Sequence, residues 1–488
     1  MAEFPKGTND DDVRYRIALS ALFAGKYEDA LAQLQDYVKT HPNGSFLSDA
    51  KYRIAVCLYA ASQYDEAIAR CRAWEKEFSG NSQLCEVLAL LGDAYAASNR
   101  EAAAIPVYIR SSRTAATDEV MNYSLMAASK LLQKQGDWDK VAELYGNFIK
   151  DKPDNPAVVT AIYWIGKAKA HEGKIEEAKQ LTADTIKKYI DDPDREAVEQ
   201  LITQLAQLCV RKQKPAEGTS AAPAPQTDPG AELERILSRG GANDSPTARA
   251  RILFAKAELA RLRRQPAEQE KEIAGITGFK PEELSPQLLG VAGDYLAAHG
   301  NLDQAERFYE RLLNTYPKSQ MIDYAYNGLG EIAYQKKDYK KALSFFDDGL
   351  NKIAAAQRLK DITVGRAKTL LALGNLDEAQ KAFEQVASVR EWRGESTAFA
   401  VYSLGEIAAK RGKWAEANAF FQRVYVGYQK FLPWVAKAYI RSGESFEKLG
   451  KTQEAVKTYQ EMLRNDKLAT FAEAGEAKKR LEALGKGS

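Results

Sequence analysis

Ten small residues recur along this chain at an almost constant interval, which confines it to folds built by internal repetition. Ala30, Ala67, Ala104, Val141 and Ala178 stand 37 residues apart. Ala305, Ala342, Ala379, Ala417 and Ala455 follow at steps of 37, 37, 38 and 38. A turn precedes each, marked by Gly25, Gly136, Gly173, Gly300, Gly374, Gly412 or Gly450 in seven copies. The apolar stretch before the turn carries a second small residue, clearest in Leu91-Gly92-Asp93, Leu329-Gly330-Glu331 and Leu404-Gly405-Glu406. Two antiparallel helices joined by a tight turn need small residues where their backbones approach. Glycine at the turn supplies the left-handed conformation that ends the first helix. Four residues past the small residue stands a large apolar side chain: Leu34, Tyr108, Tyr145, Tyr309, Phe346, Phe383, Phe421 or Tyr459. One such pair cannot bury its apolar stripe alone, so neighbouring pairs must stack.

Stacking also accounts for the length. A chain of 488 residues exceeds one compact core, but an array grows lengthwise, each unit touching only its neighbours. The expected fold is all-α, with about twelve helix pairs. Between Ala178 and Ala305 lie 127 residues, 16 more than three steps of 37. The surplus coincides with residues 215–230, rich in Pro, Ala and Ser, a composition that reads as a linker. The expected organisation is an N-terminal array over 1–214, the linker over 215–230, degenerate helical units over 231–285 and a C-terminal array over 286–488. A first helix is expected near 196–212, its partner displaced to about 231–238. A polar-faced helix near 470–484 is expected to close the C-terminal array.

Composition excludes several classes. Hydrophobic residues make up 45% and the net charge is +2, about −3 over 1–214 and about +5 over 215–488. That balance opposes nucleic acid as a partner. No run nears the roughly 18 apolar residues of a membrane span. Residues 1–12 have no apolar core of an export signal. The expected compartment is cytoplasmic, or periplasmic where a signal has been removed.

No motif carries catalysis. His41, His171 and His299 are far apart near turns, and no phosphate loop, nucleophile elbow or zinc-binding helix pattern occurs. Cys57, Cys71, Cys85 and Cys209 have no metal or redox spacing. They read as small buried residues, with a Cys57–Cys71 disulfide the alternative. No cofactor, metal or enzymatic activity is expected.

With these residues in view, the chain resembles the tetratricopeptide repeat family over nearly its whole length. The resemblance implies a right-handed α-solenoid that binds a protein or peptide on its concave surface. The family unit has 34 residues; the longer steps here are similar to those of bacterial cell-envelope members, which implies a role in envelope assembly. In the family, set positions of each first helix face the groove. Carried over, they give Tyr15, Tyr52, Tyr59, Tyr123, Tyr163, Tyr324, Tyr334 and Tyr402, with Asn327 and Glu331 as polar neighbours. Asp93, Lys130, Lys167, Lys368, Glu406 and Glu444 share that face. The alternative for each tyrosine is packing between adjacent first helices. Some family members clamp a C-terminal carboxylate with Lys and Asn; the matching positions are Tyr15, Leu19, Tyr52 and Val56, which breaks the clamp. Two other readings stay open: a purely structural array, and an accessory region of a larger assembly or enzyme complex.

The register makes a direct prediction. Ala379→Arg places a long charged side chain at a close helix contact and should destabilise the protein by about 2–4 kcal/mol. A melt unchanged from wild type would show the register to be wrong.

Overall fold

The computed structural model describes residues 10–210, 233, 245–353 and 357–485. The expected linker at 215–230 lies outside the described residues, as does the displaced helix near 231–238 apart from the buried Leu233. Among the described residues all regular structure is helical, with 24 α-helices and three short 3₁₀ turns.

The chain divides into two compact units, Met1–Ile190 with Ala197–Gly240, and Asp191–Glu196 with Gly241–Ser488. In the first unit, α1 (Asp10–Phe23) pairs with α2 (Tyr27–Thr40), and α3 (Leu47–Ala60) with α4 (Tyr64–Glu77). Then come α5 (Leu84–Ala97) with α6 (Glu101–Thr114), and α7 (Asp118–Gln135) with α8 (Trp138–Asp151). The last pair is α9 (Val158–His171) with α10 (Ile175–Tyr189), followed by α11 (Val198–Val210).

The second unit opens with α12 (Pro246–Leu262) and α13 (Pro266–Ile276), within the stretch expected to be degenerate. The pairs α14 (Pro286–Ala298) with α15 (Leu302–Thr315), and α16 (Ile322–Gln335) with α17 (Tyr339–Lys352), follow. Next are α18 (Leu359–Leu373) with α19 (Leu376–Ser388), and α20 (Glu395–Lys410) with α21 (Trp414–Gly427). The pair α22 (Leu432–Lys448) with α23 (Thr452–Leu463) precedes α24 (Ala472–Gly485). Only Ala474 and Ala477 of α24 are buried, so it closes the array with a mostly polar helix.

The ten phased positions, Val141 included, are all fully buried. The large residue four positions later fills a socket that glycine leaves open. A Cβ on Gly92 would lie 2.6 Å from the Tyr108 ring, and one on Gly330 2.5 Å from the Phe346 ring. Gly293 receives Tyr309, Gly405 receives Phe421 and Gly443 receives Tyr459 in the same way. Two rings are sandwiched. Tyr309 also closes on Gly328 of the next first helix, and Phe346 on Gly365. Consecutive units therefore share each plug, which makes the stack continuous within a unit of the fold.

All seven turn glycines have φ between +70° and +83°. Four turns without glycine force Ser62, Asn99, Arg264 and Lys337 into the same left-handed region, at φ 58–60° for the first three and 61° for Lys337. At Lys337 the backbone closes like the glycine turns, Asp338 N donating to Ala333 O at 2.9 Å. A side chain is strained there, so Lys337→Gly should stabilise the protein by about 0.5–1 kcal/mol. Chemical denaturation checks the sign; a loss of stability would contradict it.

Candidate partner-binding surface

First helices pack against the next first helix, whereas each second helix wedges between two first helices. The first helices thus form one continuous face in each unit, and the residues expected in a groove lie on them.

In the first unit this face holds a carboxylate among tyrosines. Asp93 accepts hydrogen bonds from Tyr108 Oη at 2.7 Å and Tyr123 Oη at 2.5 Å. Burial pushes its pKa up, against the pull of the two phenols. Tyr59 lies beside the cluster and against Tyr64, ring centroids 5.6 Å apart. Tyr123 is 46% exposed, and Met126, one turn on, is 59% exposed. Tyr163 is half-buried, edge-on to Trp164, whose ring carries Lys167 Nζ 4.7 Å above it. Tyr52 is half-buried, and burial pushes its phenol up to about 12.

Two expectations need correction. Tyr15 is only 5% exposed, stacked on Phe46 at 4.5 Å, so it is core rather than groove. Asn327 is 8% exposed with its Oδ1 unpartnered, because α16 is buried between the flanking first helices and hides that face.

In the second unit the same positions form a ladder of ion pairs. Lys368 donates to Glu331 at 2.5 Å and sits 4.4 Å over the half-buried Tyr334 ring. Arg441 bridges Glu406, at 2.5 Å, and Glu444. Arg480 bonds Glu444 and reaches Glu447 at 3.2 Å. Tyr402 is half-buried against Phe421 and Trp434. Arg358 pairs with Asp294 and lies 4.1 Å over the Tyr324 ring. The plug residue adds a partner for the carboxylate only when it is a tyrosine. Tyr108 and Tyr309 pass a hydroxyl to Asp93 and Asp294, the latter at 2.6 Å. Phe346 and Phe421 cannot, and there Glu331 and Glu406 reach the cation of the next first helix.

Sequence reasoning found Asp93, Glu331, Glu406, Glu444 and Lys368 but missed Asp294, Glu447, Arg358, Arg441 and Arg480. Arg441 and Arg480 lie off the phased position, and Arg358 precedes α18. No spacing signal marked them, since cations reach the carboxylates beside tyrosine and phenylalanine plugs alike.

The histidines stack on separate aromatics, His41 on Tyr37, His171 on Trp138 and His299 on Tyr295. Among the described residues no three His, Cys, Asp or Glu side chains could hold a metal ion. The four cysteines are buried and none is in a disulfide. No helix among the described residues is long and apolar enough to cross a membrane.

Two family models, both described as tetratricopeptide repeat, match the chain: one over 15–82, 291–357 and 364–431, the other over 437–467. No curated protein matches. Among solved structures, yeast Tom70 is 12% identical, covers 98% of this chain and 96% of its own, and gives a TM-score of 0.34. The APC/C hetero-tetramer Cut9–Hcn1 is 13% identical, with 97% and 91% coverage and a TM-score of 0.36. At those scores neither carries an argument about this chain.

The Asp294–Arg358 pair yields a prediction with a pH signature. Burial raises the Asp294 pKa and Arg358 lowers it. Removing the guanidinium in Arg358→Met strands a carboxylate in a half-buried site, costing about 1–3 kcal/mol near neutral pH. A carboxylate whose folded pKa is raised loses stability as pH climbs from its unfolded to its folded value. The variant's deficit should therefore shrink as pH falls toward the ordinary Asp range. Melts at pH 7 and pH 5 with the same deficit would exclude this.

Proposed function

The chain is a tetratricopeptide repeat protein, and from that premise we propose that it is a non-enzymatic scaffold binding a peptide or partner protein along its first-helix face. The observation that supports this is the tyrosine content of that face. Tyr123 is exposed beside Met126, and Tyr52, Tyr59, Tyr163, Tyr324, Tyr334 and Tyr402 are each half-buried. Aromatic rings fixed at one edge and open at the other offer contact area at low entropic cost. Glu331 lends polar character to the same face, although Lys368 already holds it.

A finer reading places this scaffold in bacterial cell-envelope assembly, in the periplasm. It is supported by the 37- and 38-residue steps, longer than the family unit. Fractionation of the source organism with an antibody to the chain tests it, and recovery outside the envelope would overturn it.

Binding energy on such a face concentrates in a few aromatic anchors. Affinity capture with mass spectrometry identifies the partner. Tyr123→Ala with Tyr163→Ala should then weaken it about tenfold or more, about 1.4 kcal/mol, with helicity unchanged. Lys76→Ala with Lys187→Ala, exposed on second helices, is the control. Loss of affinity in the control pair alone would place the interface on the other side.

A further inference from the structure

One helix pair breaks the small-residue rule at both positions. In α7 and α8, Ser129 stands at the first-helix position that Gly92, Gly293 and Gly330 occupy, and Val141 stands where nine other second helices carry Ala. Both are buried, and the plug is still aromatic, Tyr145. Extra atoms on each side of a contact that elsewhere needs glycine and alanine hold the helices apart. Among the described pairs, α7 and α8 are the least closely packed.

The separation opens a groove of about 420 Å3 between α6 and α8, on the second-helix side of the first unit. Its apolar lining comes from Ile105 and Ile109 on α6, Leu125 and Leu132 on α7, and Leu144 and Phe148 on α8. The two rims differ in charge. Arg113 lines the α6 side, and Glu143 and Asp151 line the α8 side; all three are exposed and without an ion-pair partner among the described residues. The other cations are committed or turned inward. Lys140 is bonded to Asp137 at 2.6 Å, and Lys152 Nζ lies 3.4 Å from Met121 Sδ.

We propose that this groove is a second docking site, and that its occupant is an amphipathic helix of a partner protein. The helix would carry three apolar anchors, a basic flank facing Glu143 and Asp151, and an acidic residue facing Arg113. Length fits: the α6 wall from Ile105 to Arg113 runs about 12 Å and the α8 wall from Lys140 to Lys152 about 18 Å, at roughly 1.5 Å per residue. Anchors at i, i+4 and i+7 span about 10 Å. A helix can answer both signs of the rim, whereas a fatty acid has only a carboxylate for Arg113 and leaves Glu143 and Asp151 without a cation. The site is independent of the first-helix face.

The test uses a phage-displayed library of helical peptides, apolar anchors and flanks randomised on an Ala/Gln scaffold, selected on the full chain. The expected winners carry three anchors and a Lys- or Arg-rich flank. Their affinity should fall at least tenfold with Glu143→Lys and Asp151→Lys together, and binding should be lost in Ile109→Trp, which fills the groove from a half-buried position. Tyr123→Ala with Tyr163→Ala should leave it unchanged. The rim variants are exposed, so they decide the matter if Ile109→Trp fails to fold. Selection of nothing above background, winners with no basic flank, or winners indifferent to the rim reversal would each overturn the proposal. Saturable binding of dodecanoate that displaces the winners would overturn it in favour of a lipid chain.

Discussion

Two helices joined by a three-residue turn can lie close only where neither backbone carries bulk, and the rest of this structure follows from how that requirement is met. Alanine on the second helix and glycine on the first leave a socket one ring wide. Phe346 fills it from one unit and closes on Gly365 of the next, so a single side chain ties together two pairs. Large core aromatics of this kind also bring most of the buried apolar area. Where both contact positions carry extra atoms, Ser129 against Val141, the pair is the least closely packed of those described and the surface opens.

The plug also affects electrostatics some distance from the core. A tyrosine threads its hydroxyl to the first-helix face and gives a carboxylate there a partner, as Tyr108 does for Asp93 and Tyr309 for Asp294; a phenylalanine cannot. Ties across helix pairs form beside both kinds of plug, Tyr123 reaching Asp93 and Arg358 reaching Asp294 as Lys368 reaches Glu331. In the first unit the result is the Asp93 cluster with Tyr108 and Tyr123. In the second it is the chain running Glu406, Arg441, Glu444 and Arg480.

Much of this was legible in the sequence, because period and residue size are local signals. The phased alanines, the turn glycines and the aromatic plugs all fell where spacing put them. The turns at Ser62 and Lys337 were legible only through their neighbours, since neither residue type asks for positive φ, whereas Asn99 is of a type that tolerates it. Tyr15 was misplaced because helical position says which way a side chain leaves the backbone, not what stands over it: Phe46, from the loop before α3, covers the ring. The cations on the inner face were hidden for a related reason. Their partners on other helices lie 33 to 64 residues away in sequence, and long side chains reach across register. The groove between α6 and α8 was foreshadowed by Val141 alone, and a single methyl-bearing residue does not announce a cavity.

The ion-pair ladder of the second unit has a mechanical consequence. Its rungs join consecutive first helices on one side of the stack, while the aromatic plugs are buried beneath them. Opening the stack on that side therefore pulls directly on the charged rungs. The rungs are partly exposed, with side-chain accessibilities between 17% and 31% from Glu331 to Arg480, so water reaches them while the rings beneath stay dry. Their charges meet well inside the screening length of about 8 Å at physiological strength, so dissolved salt loosens these ties only modestly.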